Sequence, residues 1–235
     1  MDPFALPPLA AVLDAAATLL VGTADVLRPL AGTASGALAV VVATLLVRAL
    51  LLPAGVAQAK AEQARARIAP RLKAIADRHR RDPQRLQRET ARAYAEERVS
   101  PLAGILPMLA QAPVIGVLSA VFLHPVVAGR PNGLLEEQLA GVSLGANALS
   151  AGAEGAIVFA VLVGLLALIA EITRRAFRPP ASLEGPAILR QVGLLVHTTA
   201  LIAPFLPLAA GIYLLTTMSW TLGQRALLRR RYPLP

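Results

Sequence analysis

The chain has 235 residues, of which 56% are hydrophobic and 16% charged, and its mean hydropathy is +0.60. About one quarter of the residues of a water-soluble domain are charged, so this composition excludes an ordinary soluble fold and predicts an all-α, polytopic membrane protein. The absence of cysteine excludes disulfides, thiolate metal sites, a cysteine nucleophile and a lipidated amino-terminal cysteine. The net charge of +9 carries information through where its basic residues fall.

The start, Met1 to Pro8, has no basic stretch ahead of one apolar core, so neither a cleavable signal peptide nor an arginine-rich transit peptide is expected. Between residues 9 and 30, Leu9, Val12, Leu13, Ala16, Leu19, Leu20, Val26 and Leu27 recur at three- and four-residue spacings, with Asp14, Thr18 and Asp25 between them. That pattern predicts an amphipathic interfacial helix within 1–33, broken near Arg28-Pro29.

The first span is expected over 34–58, with a kink at Pro53. It carries Arg48, and a guanidinium near the middle of a membrane helix costs about 2.5–3.5 kcal/mol on insertion scales. About ten residues, roughly 15 Å at 1.5 Å each, separate it from Gln58. Two readings follow: an off-centre arginine that snorkels or pairs with a phosphate, or one facing a polar, water-filled cavity. Thr44, four residues earlier, shares its helical face.

From Ala59 to Arg98 the chain holds twelve Lys/Arg mixed with six acidic residues. Ile68, Leu72 and Ile75 form one narrow apolar stripe, and Leu86, Ala93 and Tyr94 another. Asp82-Pro83 is a helix start, an N-cap acceptor followed by a proline whose missing N–H costs nothing there. Residues 59–99 therefore predict an exposed two-helix hairpin, with Pro70 bending or interrupting its first helix.

Ser100-Pro101 caps an expected second span over 100–123, which contains Pro107, Gln111 and Pro113. A loop over 124–153 follows, with a short helix around 134–140, then a third span over 154–172 and a basic loop over 173–187. Pro204 and Pro207 divide the remaining apolar stretch into spans over 188–204 and 206–226, and 227–235 form a basic tail. Twenty basic residues fall in the hairpin, the 173–190 region and the tail, against Arg28 and Arg130 on the opposite side. Basic loops stay on the cytoplasmic side, so five spans are expected with the amino terminus outside and the carboxyl terminus in the cytoplasm.

No enzyme motif is present: no phosphate-cradling glycine loop with its lysine, no HExxH, no paired intramembrane carboxylates. No cofactor or metal is expected. His79, His124 and His197 are scattered, and His197-Thr198-Thr199 reads as a helix–helix hydrogen-bonding patch. Glu171 with Arg174 and Arg175 is an ordinary helical pairing. The polar residues inside spans are Thr44, Arg48, Gln111, Thr216, Thr217, Ser219, Trp220 and Gln224. They either hydrogen-bond as packing glue or line a hydrated groove, and Gln111 is the candidate to meet Arg48 from the second span.

Three stretches resemble the YidC membrane protein insertases and their mitochondrial and chloroplast relatives. The first is Leu45-Leu-Val-Arg48 followed by Leu50-Leu-Leu-Pro53. The second is Ala69-Pro-Arg-Leu-Lys-Ala-Ile75 with Arg81-Asp-Pro-Gln84, similar to the family's hairpin. The third is Ser100-Pro-Leu-Ala-Gly104, Leu106-Pro107 and Gln111-Ala-Pro113. The fifth span matches less well: Leu214 and Met218 stand where the family usually has tryptophan and asparagine, and Ser100 also replaces an asparagine.

The resemblance implies a five-span core of a bacterial plasma membrane protein that inserts and helps fold other membrane proteins. It implies a hydrophilic, cytoplasm-open groove holding Arg48, Thr44, Gln111, Thr217, Trp220 and Gln224, which receives membrane protein substrates. The hairpin, through Arg71, Lys73, Arg78, Arg80, Arg81 and Arg85, would recruit substrate or ribosome. The ribosome and a Sec translocon are the further partners considered, with anionic lipids attracted by the basic surface and no small-molecule substrate. The alternatives from other classes are a small transporter or channel using Arg48 as an anion site, against which the lack of an inverted repeat counts, and a basic scaffold.

Overall fold

The computed structural model describes residues 7–97, 99–100, 106–127, 129–177 and 198–233. Helix α1 spans Pro7–Ala31 and buries Leu13, Leu20 and Ala24. Its expected break at Arg28-Pro29 does not occur: the helix runs through Pro29 and ends where Gly32 takes a φ of +53°. One missing N–H is tolerated because Arg28 holds that turn through Asp25 and Glu137, each 2.8 Å away. Glycine at the left-handed position is what ends the helix.

A tight turn, Gly32–Ala34, leads into α2, Ser35–Leu50, whose buried face is Gly36, Ala37, Val40 and Thr44. The span expected over 34–58 with a kink at Pro53 is interrupted two residues earlier, at Leu51 (φ −86°, ψ 2°), and α3 starts at once, Leu52–Arg78. Pro53 therefore lies in the first turn of a new helix, where its missing donor is harmless. Thus the first hairpin helix grows directly out of the span. Pro70 does not interrupt it; its partner across the hairpin holds it in place. That partner, α4, is Pro83–Glu96, and Asp82 caps it by accepting from the Arg85 N–H at 3.0 Å. Ile68 and Ala93 close the seam between the two helices.

Arg71 bridges the seam to Glu96 and lies 3.7 Å from Glu97, while Arg92 reaches Glu96 at 2.8 Å. The hydrogen bond from Arg71, then that from Arg92, holds the Glu96 carboxyl below the usual glutamate range. A depressed carboxylate stabilises the fold above its unfolded value, about 4.3, and that contribution is lost as pH falls through the lower folded value. A spin label at Ala91→Cys should gain mobility only below about pH 4.3, and Glu96→Gln should flatten the dependence. A label equally mobile at pH 7 and pH 3 would refute the role of Glu96.

Helix α5 is Leu106–Leu123, with Pro113 inside it. The connection that follows is more ordered than a loop. The ladders β1 (Val126–Val127) with β2 (Arg130–Pro131) and β3 (Gln138–Leu139) with β4 (Val142–Ser143) flank α6, Gly133–Glu136, a shorter helix than expected. Asn132 is its anchor. It is 3% exposed, donates to the carbonyls of Val121 (2.7 Å) and His124 (3.1 Å), and accepts from Leu134 N–H (3.3 Å).

Helix α7, Gly152–Ala176, extends past the expected 154–172 at both ends. The Glu171 pairings with Arg174 and Arg175 are present. His197 and most of the expected fourth span lie outside the described residues. Residues 198–202 are helical (α8), Ala203–Phe205 form a 3-10 turn at Pro204, and α9 runs Leu208–Arg231, beyond the expected end at 226. The first N–H groups of α9, which have no partner within the helix, donate from Leu208 to Ala146 O and from Ala209 to Leu144 O, both at 2.9 Å.

The architecture is helical apart from the two short ladders. Helix α9 packs against α2, α3, α5 and α7, and α1 packs against α2 and α5. Two stretches, Ala10–Leu50 and Gly152–Ala176, are long and apolar enough to cross a bilayer. The outside is apolar too: Leu46, Ile157 and Leu201 are 66%, 72% and 71% exposed. A surface of this kind is stable in hydrocarbon rather than water.

Candidate functional site

Two close approaches fix how α2 and α3 lie along α9. At one end Leu144 meets both: a Cβ on Gly36 would stand 3.0 Å from its Cδ1, and its carbonyl accepts from Ala209. At the other end Gly55 lies under the Gln224 side chain, where a Cβ would come within 1.8 Å of Nε2. Gly36 pairs with the start of α9 and Gly55 with Gln224, so the helices run parallel. Counted at about 1.5 Å per residue, Arg48 falls level with Thr217 from the Gly55 end and with Thr221 from the Gly36 end, that is, beside the turn that runs from Thr217 to Thr221.

Arg48 is half-buried, and among the described residues it has no ion-pair or hydrogen-bond partner. Thr217 Oγ1 is buried and likewise has no partner among them. An uncompensated cation and an orphaned hydroxyl within about one turn of each other along two packed helices leave polar valence that the protein itself does not fill. Trp220 and Gln224 continue the same face of α9, joined by a 2.8 Å hydrogen bond from Nε1 to Oε1.

The other expected groove residues are placed differently. Thr44 is 1% exposed and its hydroxyl is committed to Val40 O at 2.6 Å, so it packs rather than lines a wet surface. Gln111 is buried and without a hydrogen bond among the described residues. The ring of Phe122 lies 5.3 Å from that of Tyr213, and α5 also packs on α3, so α5 runs antiparallel to α9. Eleven residues from each ring, Gln111 is level with Gln224, about 5–10 Å along the axis from Arg48. Gln111 therefore lies at the level of Gln224, toward the Gly55 end of the face that bears Arg48.

A cavity of about 560 Å³ opens between α1, α2 and α5, walled by Leu19, Leu20, Leu46, Val47, Val114 and Leu118. Thr23 supplies its one hydroxyl, which already donates to Leu19 O at 2.7 Å. None of the expected groove residues lines it; it is an apolar space. In the hairpin, Arg71, Arg80 and Arg85 pair with neighbouring carboxylates. Lys73, Arg78 and Arg81 are exposed and unpaired among the described residues.

Gly55 and Asn132 escaped the sequence reading as positions of consequence. A signal existed for Asn132, whose place in Arg130-Pro-Asn-Gly133 suits a side chain that caps its own turn. Nothing local marks Gly55, because the side chain it accommodates lies 169 residues away.

A helical membrane protein with a half-buried arginine in the last turn of an apolar helix is the class these features define. The sequence profile described as 60Kd inner membrane protein matches residues 27–234, and the chain belongs to this family, that of the YidC insertases. It is 28% identical over 223 residues to the membrane protein insertase YidC of Streptomyces avermitilis, covering 84% of this chain and 52% of that one. The YidC of Clostridium perfringens is 35% identical over 79 residues, 34% of this chain and 33% of that one. The chloroplast inner membrane protein PPF-1 of Pisum sativum is 39% identical over 84 residues, 35% of this chain and 19% of that one. The chain thus spans about half or less of the length of these relatives.

Proposed function

We propose that the protein is a membrane protein insertase that inserts and helps fold integral membrane proteins. The observation that carries this reading is the half-buried Arg48, without a partner among the described residues and beside the turn that begins at the orphaned Thr217 hydroxyl, in a chain of the YidC family. Arg48, Thr217, Trp220, Gln224 and Gln111 form the polar side of a groove open to the cytoplasm. A hydrophilic tail of a substrate enters it and meets a cation that offsets part of its desolvation cost. The substrate's apolar helix then leaves sideways into lipid. No bond is made or broken, so the work is that of a chaperone rather than an enzyme.

The five-span topology of this reading places the hairpin and the basic tail in the cytoplasm of a bacterial cell, where Lys73, Arg78 and Arg81 meet a ribosome, a Sec translocon or anionic lipid headgroups. Photoreactive residues at positions 111 and 217 should crosslink to a nascent single-span protein, and one at Leu134, 0% exposed among the ladders, should not. Equal labelling from all three positions would overturn the groove.

A further inference from the structure

The end of α9 reaches beyond the helical bundle and closes onto its neighbours. Arg229 stands 3.7 Å from Glu62 on α3, and its guanidinium lies 4.5 Å from the ring centroid of Phe177, the residue that ends α7. Past the helix, the Pro233 carbonyl accepts from Gln63 Nε2 at 2.9 Å, and Lys60 Nζ lies 5.8 Å from the centre of the Tyr232 ring. Three of the four contacts fall on Lys60, Glu62 and Gln63 of α3 and the fourth on Phe177 at the end of α7, so the end of α9 gathers three elements at one level. Each alone is small: an exposed ion pair contributes about 0–1 kcal/mol and an exposed cation–π pair about 0.5–1 kcal/mol. Together they bind a single lever, because α3 continues unbroken from these turns to Arg78.

We propose that Arg229–Pro233 is a strap that sets the angle of the hairpin, with Arg229 its positioning residue. Along the chain α3 is joined to α2 at Leu51, where the helix is interrupted for one residue while the Leu51 and Gly55 N–H groups still donate to Val47 O and Leu51 O. The remaining packing is against α5 and, about two turns below the strap, under Gln224 at Gly55; the strap adds the end of α9 and Phe177 to these supports. Since α9 is one uninterrupted helix from Leu208 to Arg231, the strap also ties the hairpin to the face bearing Thr217, Trp220 and Gln224. A shift of that helix is carried directly to the hairpin tip. This last consequence rests on the groove reading above; the strap itself does not.

The absence of native cysteine makes the test direct. Spin labels go at Ala76→Cys, exposed near the hairpin tip, and at Leu227→Cys, 68% exposed and on the side of α9 away from Arg229, in the full chain in lipid nanodiscs. The unaltered strap should give one narrow distance distribution. Arg229→Glu, which repels Glu62 and loses the ring of Phe177, should broaden it at least twofold, and adding Glu62→Arg should narrow it again. A distribution unchanged by Arg229→Glu, or broadening that Glu62→Arg fails to reverse, would overturn the strap. The readout does not depend on insertion activity. A strap that fails leaves the insertase reading standing, and a groove that fails leaves the strap measurable.

Discussion

Replacing Arg48 by alanine should lower insertion of a single-span substrate with an acidic outer tail by about tenfold or more, equivalent to about 1.4 kcal/mol of lost stabilisation of the crossing segment. The estimate is conservative, because the helix spends about 2.5–3.5 kcal/mol to hold the charge in the membrane. Complementation of a depletion strain, scored by protease protection of the tail, gives the measurement. Arg48→Lys should retain most activity for acidic tails, since it keeps the charge, whereas Arg48→Gln keeps only a hydrogen-bonding surface. Equal activity of the Gln and wild-type proteins would show that a wet groove suffices and would remove the proposed role of the charge. Substrates with neutral tails should lose less, because they have no charge to attract.

The largest expected effect on stability lies at Asn132. Its amide satisfies two carbonyls and one N–H within a nearly closed environment, and alanine would orphan all three. Leaving a buried group unpaired costs about 1–3 kcal/mol, so Asn132→Ala should destabilise by about 2–4 kcal/mol, large for a single substitution. Asn132→Asp should be at least as damaging, because a carboxylate oxygen would face the carbonyls of Val121 and His124 where an NH2 now donates. Thermal unfolding in detergent, followed by helical circular dichroism, tests both variants. A melting midpoint within one degree of wild type for either would show that Asn132 does not anchor the ladders. The damage should spread to α9, since the segment anchored by Asn132 leads to Leu144 and Ala146, whose carbonyls receive the first N–H groups of that helix.

Local chemistry made much of this fold legible. The Asp82 cap, the turn at Pro204-Phe205 and the Glu171 pairings all depend on residues within a few positions of one another. Proline was read too strongly as a breaker. The helices containing Pro29 and Pro70 continue, because neighbouring contacts can hold a turn that lacks one hydrogen bond.

What the sequence determined by itself was the class: apolar helices, a charged stretch rich in arginine, and the motifs that resemble the YidC family. What only the tertiary structure decided was what lies opposite Arg48. The register of α2 along α9 is set by Gly36 against Leu144 and by Gly55 under Gln224, contacts between residues far apart in the chain. Periodicity assigns a residue to a face, but it cannot give its height beside another helix. That height depends on where two surfaces interlock, and it places Arg48 beside the turn from Thr217 to Thr221, with Gln111 about one to two turns away.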